Sequence, residues 1–120
     1  MFNIEERKFV GKLIRLVLVN ELGVRDAINK FPNDVEDESI RAAFHALIHL
    51  EADEDLRKND ILYKEEQDDF LLMISQTLEK GEDLPFNVIN SYKKYYKIAN
   101  LKNADNFLGR LKSFFKMLNV

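Results

Sequence analysis

Between Gly23 and Gly81 the chain contains no glycine, and Pro32 is the one proline in that stretch. Few turn residues over such a length favour long helices over many short strands. The apolar residues agree, because they recur at three- and four-residue spacing, the stripe of a helix with one face on a core. The chain is therefore expected to be all-α, a single-domain bundle of five to six helices at about 4–22, 24–30, 35–55, 60–80, 85–99 and 104–118. Connections of a few residues favour antiparallel neighbours.

Local signals set these bounds. Phe9, Val10, Leu13, Ile14 and Val17 form the stripe of the first helix. Gly23 suits a left-handed C-terminal cap, and Pro32 pushes Phe31 out of helical geometry, closing the second helix. Asn33 or Asp34 is expected to cap the third helix, with Glu36, Asp37 and Glu38 in its first turn, where the helix dipole favours anions. Its apolar face is Ile40, Ala43, Phe44, Leu47 and Ile48. Asn59 or Asp60 caps the fourth, whose face reads as Leu62, Tyr63, Phe70, Met73, Ile74, Thr77 and Leu78, and Gly81 ends it. Pro85 fits the first turn of the fifth, where no backbone donor is needed.

Charge is sorted along the chain. From Asn33 to Asp69 thirteen acids outweigh four bases, a net of −9, whereas from Phe86 to Val120 seven cations face the lone Asp105, a net of +6. Such asymmetry suggests internal pairing, a bipolar surface, or a partner for one end. The overall charge of −3 argues against generic nucleic-acid binding, although Ser91–Lys97 interleaves lysines with Tyr92, Tyr95 and Tyr96. The absence of cysteine excludes disulfides and thiolate sites. No signal peptide or bilayer-length apolar stretch is read, so a cytoplasmic location is expected.

Three sets of residues are candidates for chemistry or recognition. His45 and His49, four apart, could chelate a metal together with Glu38, Glu51 or Glu66, but their face lies opposite Ile40, Phe44 and Leu47, which places them at the surface. Glu51 falls three turns after Ile40, and Glu66 four residues before Phe70, so both would point with core residues if the helices run that far; the favoured expectation is that these acids sit at helix ends in water, paired with Arg41, Arg57 or Lys58. A carboxylate-bridged dimetal bundle would also need Glu-x-x-His pairs, and the chain has none. The acids Asp53, Glu54, Asp55, Glu65, Asp68 and Asp69 read as a solvated acidic face or as a docking patch for a basic partner; they do not make an EF-hand, which requires a glycine at its sixth position. Phe107, Leu111, Lys112, Phe114, Phe115 and Lys116 belong to an amphipathic segment that is first expected to pack on the chain's own bundle and is otherwise suited to a membrane interface or a partner's groove.

The sequence carries no phosphate loop, nucleophile elbow or local serine–histidine pair. The leading expectation is a small non-enzymatic protein-interaction or adaptor module with no cofactor, met by a protein partner or by a second copy through complementary ends. The alternatives are peripheral membrane binding through the last segment, and a metal-binding enzyme or sensor built on His45, His49 and inward carboxylates.

Overall fold

The computed structural model describes residues 4–32 and 36–98, the last four of these as backbone alone. Within them the chain is all-α: α1 Ile4–Leu18, α2 Val24–Lys30, α3 Glu38–Ala52, α4 Glu54–Asn59, α5 Ile61–Glu79 and α6 Phe86–Ile98. The expected helix at 104–118, with Phe107, Leu111, Lys112, Phe114, Phe115 and Lys116, lies outside the described residues.

α3 is the centre. It touches each of the other five helices, and Ile40, Ala43, Phe44 and Leu47 on it are fully buried. Phe31, just past α2, meets Phe44 edge to face at a centroid distance of 5.2 Å. The most extensive helix pair is α1 with α5. Val10, Leu13, Ile14 and Val17 of α1 close the core with Leu71, Ile74 and Leu78 of α5. Each large apolar side chain removed from water in this way contributes about 1.5–3 kcal/mol. The pair comes close at Gly11, whose carbonyl accepts the buried Ser75 hydroxyl at 2.8 Å.

Several ends differ from the sequence reading. α1 stops at Leu18, not near Leu22, and the left-handed cap is Asn20 (φ 62°). Asn20 N–H bonds to Val17 O, and Glu21 N–H reaches back to Leu16 O, the paired bonds of a Schellman ending in which asparagine replaces glycine. Gly23 is instead the extended N-cap of α2 (φ −70°). α3 begins at Glu38 because Asp37 is its cap, accepting from Ser39 N–H at 3.0 Å. Of the three acids expected in its first turn, only Glu38 is there. The helix also breaks at Asp53, and α4 follows as a separate short element. Arg57 secures α4 by donating to Leu50 O at the end of α3 and to Gln67 of α5.

The expectations for α5 hold at both ends: Asp60 caps it by accepting from Tyr63 N–H at 3.1 Å, and Gly81 follows at φ 76°. Its buried face agrees in part: Ile74 and Leu78 lie in the core and Met73 packs against it, as expected. Leu71, Ile74, Ser75 and Leu78 face the core, whereas Leu62 and Phe70 are 70% and 40% exposed. Phe9 of α1 is likewise exposed.

A buried charged knot closes one end of the molecule. Arg7 is 4% exposed. It donates to Asp37 at 2.7 and 3.2 Å, to Asp83 at 2.5 Å and to Gly81 O at 3.1 Å. The hydrogen bond to Asp37 raises the guanidinium pKa above its usual value, so Arg7 stays charged. Ser39 Oγ accepts from Leu84 N–H at 3.0 Å beside it. The knot thus ties α1, the start of α3 and the α5–α6 connection together.

Candidate interaction surface

α5 turns a face opposite Leu71, Ile74, Ser75 and Leu78 to solvent. With 3.6 residues per turn, that face carries Leu62, Glu65, Glu66, Asp69, Leu72 and Gln76. Leu62 and Leu72 are 70% and 42% exposed; Ile61 at the helix start is 71% exposed, and Leu56 on neighbouring α4 is half exposed. Glu65, Glu66 and Asp69 make no ion pair among the described residues. The result is a face on which separate exposed leucines alternate with uncompensated negative charge. Isolated exposed leucines are ordinary; here they recur along one helix face with unpaired acids between them, which makes this face the candidate docking surface.

The sequence candidates for this patch divide by environment. Glu65 and Asp69 lie on the exposed face, and Asp55 is exposed on α4. Glu54 pairs with Lys58 at 3.5 Å, and Asp68 pairs with Lys64 at 2.8 Å. Asp53 is half-buried and accepts from the Tyr63 hydroxyl at 2.6 Å, a bond that raises the Tyr63 pKa. It is therefore part of the α3–α4–α5 junction rather than a free docking group. Leu62 was missed as a surface residue because the sequence reading groups it with Ile74 and Leu78, which are core.

His45 and His49 are not at an open surface. α6 packs against α3 on that side, leaving both histidines half-buried. Their rings meet edge to face at 4.3 Å, and His45 meets the buried Tyr92 ring at 6.1 Å. Burial, with a smaller contribution from the charge of His49, pushes His45 down to about 4. Burial also raises the Tyr92 phenol, opposed by the charge and hydrogen bond of Arg41. The pair lines a cavity of about 260 Å³ between α3, α5 and α6. The carboxylates suggested as metal ligands lie elsewhere. Glu38 pairs with Lys93 at 2.8 Å, and Glu51, half-buried near the end of α3, pairs with Arg25 at 2.5 Å. Glu66 is exposed on α5, the solvated placement expected of it in preference to the inward one. Among the described residues no three His, Asp or Glu side chains gather to hold a metal ion.

The shift at His45 gives a pH prediction. An unfolded chain protonates this imidazole near 6.5 and the folded one near 4. Between those values the unfolded state binds the extra proton, so His45 costs stability as the pH falls through that window. His45→Gln should therefore flatten the loss of stability between pH 6.5 and 4, read as urea midpoints of variant and parent at matched pH. Parallel curves for the two proteins would contradict the assignment.

A second cavity, about 390 Å³, opens beside the Arg7 knot and is lined by Glu38, Phe86, Ile89 and Lys93. Its charges are already matched, Arg7 to Asp37 and Asp83 and Lys93 to Glu38. Among the described residues no helix is long and apolar enough to cross a membrane. Comparison with protein-family models, with curated proteins and with solved structures found no match to this chain.

Proposed function

We propose that this protein is an interaction module whose α5 face binds a basic, amphipathic helical segment of another protein. The observation that carries the reading is Glu65, Glu66 and Asp69, unpaired among the described residues, set between exposed Leu62 and Leu72 on a single helix face. Leucines opposite leucines would supply affinity by burial, and lysines or arginines opposite the acids would supply orientation and a fast, salt-dependent encounter. A helix laid along a helix reads its partner at three- and four-residue spacing, which is the spacing of these groups.

The test uses a synthetic lysine–leucine amphipathic helix and a glutamate–leucine helix of the same length. The basic peptide should bind the full chain and weaken as salt rises, since exposed charges are screened beyond about 10 Å at 0.1 M. The acidic peptide should not bind. Reversing all three acids, as Glu65→Lys, Glu66→Lys and Asp69→Lys together, should weaken the basic peptide at least tenfold and leave the melting temperature nearly unchanged, because exposed substitutions away from packing cost about 0.5 kcal/mol or less. Unchanged affinity in the triple variant would sink the proposal.

A further inference from the structure

The cavity between α3, α5 and α6 sits at the edge of the α5 face. Phe70, one turn after the exposed Glu66, is half exposed on its wall. Four rings line it, those of His45, His49, Phe70 and Tyr92, and Ala42 and Ala46 leave the space that larger side chains would fill. Val88, Gln67, Asn87 and Ser91 complete the lining, which includes no lysine, arginine or carboxylate. An uncharged, ring-walled cavity with neutral hydrogen-bonding groups suits a flat aromatic group with at most one N–H or O–H to satisfy. At about 260 Å³ it falls below the roughly 300–1,000 Å³ that encloses drug-sized ligands, and so is sized for one large side chain. Interface energy concentrates on such anchors, an aromatic residue in a pocket with charged groups outside it.

We propose that this cavity receives one tryptophan-sized aromatic side chain from the basic segment that the α5 face recruits; this rests on the function proposed above. The segment would lie along Leu62, Asp69 and Leu72 and turn its anchor past Phe70 onto the His45–His49–Tyr92 ring cluster.

Two probes test the anchor separately from the face. N-acetyl-tryptophanamide, small and neutral, should shift the ring resonances of His45 and His49 saturably in the full chain. N-acetyl-leucinamide should do so at least tenfold more weakly. Ala46→Leu, which fills the cavity, and Ser91→Phe, which obstructs its exposed rim, should each abolish the effect while the fold persists by thermal melt. A lysine–leucine helix carrying one tryptophan should bind about tenfold more tightly than its leucine counterpart, and that gain should vanish in both variants. Absence of any shift with N-acetyl-tryptophanamide, or equal affinity for the two peptides, overturns the proposal. If the amide binds and neither peptide does, it is the reading of the α5 face that has failed and with it the assignment of the anchor to a basic segment.

Discussion

Replacing Arg7 with methionine is expected to lower the unfolding free energy by about 3–5 kcal/mol, a large share of the 5–15 kcal/mol that holds a domain together. Methionine preserves much of the side-chain volume, so the cost is electrostatic. Asp37 is 5% exposed and loses the cation that satisfies both of its oxygens. It retains the Ser39 N–H, which cannot compensate a buried negative charge. Gly81 O also loses its donor. Adding Asp37→Asn to the methionine variant should restore part of the loss, because the orphaned charge is then gone. Asp83 is the control. Its side chain is 75% exposed, so Asp83→Asn should cost no more than about 1 kcal/mol. Chemical denaturation of the four proteins checks the series, and a small effect of Arg7→Met would show that the knot is not what closes this end of the molecule.

The second large effect is expected at Gly11. A methyl group there would lie 2.8 Å from Glu79 N, 2.8 Å from Ser75 O and 2.8 Å from Glu79 Cγ. Two of those atoms are backbone, so relief requires α1 and α5 to move apart. Alanine is a better helix former than glycine by about 1 kcal/mol, yet Gly11→Ala should still lose about 1–3 kcal/mol through overpacking and weaken the Ser75–Gly11 bond. A gain in melting temperature would mean that the helices separate freely. Ser75→Ala removes the hydrogen bond alone and should cost about 1 kcal/mol, which separates the bond from the close approach.

Much of this was legible in the sequence, for identifiable reasons. Glycine and proline placement with apolar periodicity is a local signal, and it gave the helices, the Asp60 cap and the Gly81 stop. The cap at Asp37 was harder to find because three neighbouring acids compete for the position, and Asp37 wins through Arg7, thirty residues away. Asn20 took the left-handed role assigned to Gly23 because either residue tolerates that geometry. α5 was legible only in part, Ile74 and Leu78 but not Leu62 and Phe70, because apolar residues occur all around it. Its core face is fixed by α1, through Gly11 and the hydroxyl of Ser75, a buried polar residue that hydropathy counts against burial. The histidine cleft was invisible for the same reason, since α6 covers a face of α3 that looks polar in isolation. Charge sorting did point to the middle of the chain, but pairing within the fold uses up Glu51, Glu54 and Asp68 and leaves the exposed acids of α5.

The most direct test of the central claim is amide chemical-shift mapping of the full chain during titration with the lysine–leucine helix. Saturable shifts are expected along α5 at Leu62, Glu65, Glu66, Asp69 and Leu72, with little change on α1 at Val10 or Leu13. Shifts scattered over the surface, or absent from α5, would contradict that claim.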